Sequence, residues 1–231
     1  MKHDVVFILK NDYKRDEIIY SLRSICANFP HRKVWIYGGI PEGLDNISAV
    51  PYSQVGDTKW DKVSNTIKEI CRNDEITDDF WLFNDDFFVM KKVRKVEPMT
   101  DGTLWAKANK IAGRYAGHDS RYSTQLRETA RVLRDRGYDR LNYALHVPML
   151  INKEKALETL KAFKGYPMFR SLYGNHHKIG GVITDDVKIM NVNQKPTGKE
   201  VFLSTDDKSF ETGLVGDYIK SAFPEKCKYE A

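Results

Sequence analysis

Cysteine is scarce in this 231-residue chain: Cys26, Cys71 and Cys227 are odd in number, far apart and outside any Cys-x-x-Cys or Cys/His spacing. The three read as reduced thiols and not as a zinc site, and zinc is set aside. Long apolar runs are missing too, since no window approaches the roughly 20 residues of a membrane span. The N-terminal MKHDVVFILK runs directly into a strand-like segment without a signal-peptide pattern, so a soluble, cytoplasmic protein is expected. Internal repeats and low-complexity tracts are absent, which removes solenoids and fibrous or disordered classes. What is there is 41% hydrophobic, enough to bury a full core.

Charge is modest overall, at +5, but unevenly placed: residues 91–140 hold 13 Lys or Arg against 6 Asp or Glu. Such a local excess suits a surface that meets an anion, such as nucleic acid, a phosphorylated glycan or a nucleotide; a solvated helix face is the alternative.

The first third alternates strand and helix patterns. Asp4 to Leu9 is β-branched and aromatic, Asp16 to Ala27 carries Ile18, Leu22 and Ile25 at helical spacing, and Lys33 to Tyr37 is a second strand closed by Gly38 and Gly39. Ile47 to Val50 is a short strand, and Val63, Ile67 and Ile70 mark a second helix. This order predicts an α/β fold, Rossmann-like or GT-A-like, with a mostly parallel sheet and helices on both faces. Ligands bind at the carboxyl ends of such strands, where Asn11 and Asp12, Gly38 and Gly39, and Asn84 to Asp86 all fall. Beyond Lys91, Ser120 to Arg136 reads as a helix with Leu126, Ala130 and Leu133 on one face and Arg127, Arg131 and Arg134 on the next. Lys153 to Phe163 is another helix, Pro167 to Gly174 a loop, and VFLS at 201–204 a returning strand. The organisation expected is one domain over 1–231: a nucleotide-sugar-binding half at 1–90, a basic, partly helical acceptor side at 91–175, and a return to the core at 176–231.

The richest segment is FWLFNDDFF, Phe80 to Phe88, an apolar run that brings Asn84, Asp85 and Asp86 to one point. Adjacent carboxylates in a partly desolvated place repel each other unless a cation or a proton sits between them. Mg²⁺ or Mn²⁺ would remove that conflict and bridge to the phosphates of a nucleotide. A surface turn is the plain alternative, because Asn-Asp-Asp is also turn chemistry.

The stretches IIYSLRSICANFPHRKVWIYGGIPEGL, VSNTIKEI and FWLFNDDFF, in this order, resemble the Stealth family of sugar-phosphate transferases, which includes capsule polymerases and the lysosomal-enzyme GlcNAc-1-phosphotransferase. Later blocks are similar as well: ALHVP around His146, FRSLY around Arg170 and FLSTDD around Asp206. LKNDYK stands where the family has a Trp-Val-Asp-Gly segment. The resemblance spans residues 4 to 207 and implies a nucleotide-sugar donor, taken as a UDP-sugar, with Ser64, Asn65 and Asn84 in the matching blocks; Asn11 at the end of the first strand and Arg23, as a guanidinium for the departing phosphate, complete the donor-binding candidates.

Side-chain chemistry agrees with that implication. Asp85 and Asp86, with Asp206, are the metal candidates, and Asp86, His146 and Arg170 the catalytic ones. An imidazole ordinarily titrates near neutrality, which suits His146 to act on an acceptor hydroxyl; a packed core histidine is the alternative. Arg127, Arg131 and Arg134 are the acceptor-binding candidates, and Arg23 has a solvated helix face as its alternative. His176 and His177, beside Lys178, read as a basic loop without enough ligands for a metal. The expected function is therefore metal-dependent glycosyl transfer from a nucleotide sugar to a hydroxyl acceptor, DNA with a hydroxymethylated base or a phosphorylated glycan. Stealth-type hexose-1-phosphate transfer and a non-catalytic nucleic-acid-binding module are the alternatives.

Overall fold

The computed structural model describes residues 2–13, 16–114, 118 and 120–231. In chain order the elements are β1 (Asp4–Ile8), α1 (Glu17–Asn28), β2 (Val34–Tyr37), β3 (Ser48–Val50), α2 (Lys59–Arg72), β4 (Asp79–Phe83), β5 (Phe87–Val89) and β6 (Met99–Thr100). They continue with α3 (Leu104–Arg114), α4 (Arg121–Asp135), β7 (Met149–Asn152), α5 (Lys153–Ala162), α6 (Phe169–His176), β8 (Val182–Ile183), β9 (Lys188–Ile189), β10 (Phe202–Thr205), α7 (Asp207–Thr212) and α8 (Leu214–Ala222).

The main sheet runs β3-β2-β1-β4-β7. Its first four strands are parallel, and β7 closes the edge antiparallel to β4. Strand side chains alternate between the faces, so Val5, Phe7, Val34 and Ile36 pack under Ile18, Leu22 and Ile25 of α1. Val6, Trp35, Tyr37, Phe80 and Leu82 point the other way, against Ile67 and Ile70 of α2 and Ala156 and Leu160 of α5. The expected α/β architecture is therefore present, with helices on both faces. Within 91–175, however, β7 belongs to the main sheet, so this segment completes the core besides adding helices. No helix among the described residues is long and apolar enough to cross a membrane.

The apolar run Phe80 to Phe88 is two strands in two sheets. β4 ends at Phe83, the chain turns through Asn84 to Asp86, and β5 enters a second sheet of order β5-β10-β9. Among the described residues β5 has one strand neighbour, the antiparallel β10. Its other edge is completed by α1: Ser21 Oγ donates to the Phe87 carbonyl at 2.6 Å, Ser24 Oγ accepts from Val89 N–H at 3.0 Å, and Asn28 Nδ2 donates to the Val89 carbonyl at 2.7 Å. These partners satisfy backbone groups that no strand reaches. The SLRS segment thereby acts as a substitute strand, and its Arg23 faces elsewhere.

Helix starts follow local chemistry. Thr58 caps α2 in a capping box with Asp61, which sets Ser64 and Asn65 well inside the helix and not at its start. Residues 169–176 form α6 where Gly and aromatic content predicted a loop. Met168, in the left-handed region at φ 62°, turns the chain into α6, and Gly174 within it lets the helix approach Tyr143, whose ring would lie 2.5 Å from an added Cβ.

The residues at 223–231 fold back onto the N-terminal core. Arg23 makes a bidentate pair with Glu230 at 2.8 and 2.6 Å and donates to the carbonyls of Phe223 and Pro224, while Tyr229 is buried among the α1 and β2 residues.

Ser24→Ala should leave the Val89 N–H buried without an acceptor and cost about 1–3 kcal/mol. Urea unfolding should show a lower midpoint at an unchanged slope.

Candidate functional site

The carboxyl ends of β1 and β4 open into a cleft of about 1550 Å³. One wall is the segment Leu9 to Tyr13 and the turn Leu82 to Asp86; the other comprises α3, the stretch Ala144 to His146, the start of α6, and Asp185, Asp186 and Lys188. Gly38 and Gly39 serve the wall from behind. A Cβ on Gly38 would lie 2.0 Å from the Leu9 carbonyl oxygen, and one on Gly39 2.4 Å from that of Lys10, so only glycines allow the β1 and β2 ends to meet so closely.

Asp86 is held on one oxygen. Oδ2 accepts from Lys188 Nζ at 2.8 Å and from Ser204 Oγ at 3.0 Å. Its Oδ1 is buried and has no hydrogen-bond partner among the described residues. Such an orphaned carboxylate oxygen fits a divalent cation or a ligand hydroxyl. Asp85 lies near the buried Tyr13 hydroxyl; burial, and then the charges of Asp85 and Glu17, push that phenol well above its ordinary pKa. Asp206 also lines the cleft, but its Oδ1 accepts from Ser209 N–H at 2.9 Å as the cap of α7. Against its burial, that hydrogen bond and nearby Lys188 hold the carboxyl below its ordinary value. Asp85, Asp86 and Asp206 do not draw together into a close three-ligand set. Among the described residues, the only three His, Cys, Asp or Glu side chains with ligand atoms within 4.8 Å of one another are Glu158, His176 and His177.

His146 makes the other half of the site. Its Nδ1 lies 3.0 and 3.1 Å from the two carboxylate oxygens of Asp186, and its ring meets Phe87 edge-on at 6.1 Å. A carboxylate only accepts, so Nδ1 carries the proton and, in the neutral ring, Nε2 holds the lone pair. Lys107 Nζ bridges Asp101 and Asp186, at 2.5 and 3.5 Å. Burial raises the Asp186 carboxyl, but the hydrogen bond and charge of His146, with Lys107, outweigh it and hold the pKa well below the usual range. Sequence reasoning missed Asp186, although Thr184-Asp185-Asp186 repeats the Thr205-Asp206-Asp207 pattern that it used.

Arg170 enters from the first turn of α6. Its guanidinium donates to the carbonyls of Val147 at 2.6 Å, Leu82 at 3.2 Å and Leu145 at 3.3 Å, reaches Asn84 Oδ1 at 3.4 Å, and sits 5.1 Å over the Phe87 ring. Burial pulls its pKa down to about 10 with Asp86 opposing the shift, so it stays charged at neutral pH. It splices β4, the approach to β7 and the Asn84 turn.

Asn11, Asn84, Asp85, Asp86, His146, Arg170 and Asp206 thus share one cleft. Arg23 is not with them, because its donors are taken by Glu230 and two carbonyls. Ser64 and Asn65 lie outside the cleft wall, with Asn65 Nδ2 donating to the Val55 carbonyl at 2.9 Å. On α4, Arg127 is half-buried with its guanidinium 4.8 Å over the Trp105 ring, Arg131 is exposed, and Arg134 pairs with exposed Asp135. None of the three is in the cleft lining; Arg127 packs on α3, whose Lys107 and Lys110 line the cleft.

A scan against protein-family models and a sequence search of curated proteins gave no match. Among solved structures, the galactosyltransferase LgtC in complex with donor and acceptor sugar analogs matches with a TM-score of 0.51 at 11% identity, over 97% of this chain and 96% of that one. The glycosyltransferase GlyE of Streptococcus pneumoniae TIGR4 matches over 96% of this chain and 50% of that one, with a TM-score of 0.39 at 12% identity. The LgtC likeness shows a shared GT-A-like fold over nearly the whole of both chains.

The sign of the Asp186 shift sets a pH dependence. Its carboxyl is lowered on folding, so the stability it contributes is complete above the unfolded pKa of 3.8 and is lost as pH falls from there through the folded value. Asp186→Asn should flatten the acid limb of stability against pH, as read by thermal melts between neutrality and strong acid.

Proposed function

We propose that the chain is a metal-dependent transferase that moves a sugar from a nucleotide sugar, taken as a UDP-sugar, to a hydroxyl acceptor. The convergence of the Asn84–Asp86 turn and the His146–Asp186 pair on one cleft carries this reading. Asp85 and Asp86 would hold Mg²⁺ or Mn²⁺, and the orphaned Asp86 Oδ1 suits that role, while Asp206 lines the same cleft as the cap of α7. When bound, such an ion neutralises charge on the departing phosphate. The chain's own residues supply the rest. Asn11 and Asn84 line the donor side, Arg170 holds the Asn84 turn in place, and Nε2 of His146 takes the proton of the attacking hydroxyl while Asp186 fixes the ring and stabilises the imidazolium formed. A cleft of about 1550 Å³ accommodates a nucleotide sugar together with part of an acceptor.

The SLRS and NDD motifs favour a second reading, Stealth-type hexose-1-phosphate transfer to a glycan. The leaving group separates the two: a nucleoside diphosphate marks transfer of the sugar alone, and a nucleoside monophosphate marks transfer of the sugar 1-phosphate. A non-catalytic nucleic-acid module gives no role to the His146–Asp186 pair or to Asp86.

The acceptor is anionic in this reading, either DNA carrying a hydroxymethylated base or a phosphorylated glycan. Lys110 at the cleft, with Arg127 and Arg131 on α4, would form the basic shoulder of this reading; Lys107 is already engaged by Asp101 and Asp186, and Arg134 by Asp135.

His146→Ala should lower turnover by about 10²–10⁴-fold with little change in donor affinity. Asp186→Asn should lower turnover in the same direction, and Asp86→Asn should remove the Mn²⁺ dependence. Full turnover in folded His146→Ala, with a UDP-sugar panel and Mn²⁺ present, would remove the base assignment. Duplex DNA binding should weaken with salt at a log–log slope near −0.9 per phosphate neutralised, and Arg131→Ala should shallow it by about one unit. A flat response to salt on DNA and on phosphorylated glycans alike would make the shoulder a solvated face.

A further inference from the structure

His176 and His177 are not in a loop. His176 is the last residue of α6 and His177 its cap, with His177 N–H bonded to the Tyr173 carbonyl at 3.1 Å. Lys178 in the left-handed region at φ 48° and the Ile179 N–H to Gly174 carbonyl bond at 3.1 Å close the helix end. Both imidazoles are therefore mounted on a rigid element.

Their surroundings prepare them further. Nε2 of His177 lies 2.9 Å from the Lys155 carbonyl, to which it can only donate, so in the neutral ring Nδ1 holds the lone pair. A backbone carbonyl that fixes the far nitrogen in this way is the usual support of a metal-bound histidine. The His176 ring is packed edge-on against Tyr138 at 5.2 Å and Phe163 at 5.4 Å, and its Nδ1 is buried without a hydrogen-bond partner among the described residues. Glu158, exposed on α5, completes a set whose ligand atoms lie within 4.8 Å of one another.

We propose that Glu158, His176 and His177 form a divalent transition-metal site that clamps α6 to α5, separate from the cleft. Two imidazoles and one carboxylate suit Zn²⁺, with Co²⁺ and Ni²⁺ as substitutes, and water fills the remaining position. Mg²⁺ prefers an all-oxygen shell and would not compete. Because α6 also carries Arg170, the clamp would steady the helix that supports the Asn84 turn.

The test uses the untagged full chain, stripped with chelator, and Zn²⁺ or Co²⁺ as probe. One equivalent of Co²⁺ should give the visible absorption of a site with nitrogen ligands, which excess Mg²⁺ should not abolish, and a hundredfold excess of Zn²⁺ over its Kd should raise the Tm of Asp86→Asn, which lacks the cleft ion, by about 5–10 °C. Glu158→Gln, which changes only an exposed side chain, and the double variant His176→Gln with His177→Gln should each weaken Zn²⁺ binding by about tenfold or more. Asp86→Asn should bind Zn²⁺ as the parent does, which separates this site from the proposed cleft ion. No saturable one-to-one binding, binding unchanged in Glu158→Gln, or binding lost in Asp86→Asn would each overturn the proposal.

Discussion

The hydroxyls of Ser21 and Ser24 bonded to the edge of β5 are the constraint on which the site depends. β4 must leave the main sheet for the carboxylate turn to face the cleft, and the chain must then re-enter order at once. β5 can do so with one strand neighbour only because α1 supplies the missing edge in side-chain form. The same helix seals one face of the main sheet with Ile18, Leu22 and Ile25. One amphipathic helix therefore fixes both ends of the Asn84–Asp86 turn, and Arg170 fixes the turn from the far side through Leu82 and Asn84.

Electrostatics in the cleft follow from that geometry. Acidic side chains from several elements crowd one space, and each is answered locally: Asp86 by Lys188, Asp186 by His146 and Lys107, and Asp206 by a helix N–H. The answers are incomplete at Asp86 Oδ1. A carboxylate oxygen left buried and unmatched costs stability on the order of 1–3 kcal/mol, more than an ordinary core position retains without a use for it.

Much of this was legible in the sequence because it is local. β1, α1, β2, β3, α2 and β4 declare themselves through periodicity within windows of a few turns, and the parallel order follows from their alternation. The Asn84–Asp86 cluster stood out for the same reason. Long-range partnerships were not legible. Nothing near Phe83 announces that Phe87 changes sheet, nothing in Met149–Asn152 says antiparallel, and α6 depends on one left-handed residue, Met168. Asp186, 40 residues from His146, and Glu158, 18 or more before the histidines it approaches, are neighbours only once the fold exists. Arg23 shows the converse error: a positive charge in a suggestive motif was read toward a ligand, while its partner was Glu230.

The reach of that last pair bears on how the protein is made. Arg23 and Glu230 are 207 residues apart, and Tyr229 belongs to the same buried cluster as the first strand. At ribosomal speeds of about 5–20 residues per second, the N-terminal layer waits on the order of 10–40 s for the segment that covers it. During that interval α1 shows apolar surface and an unanswered guanidinium.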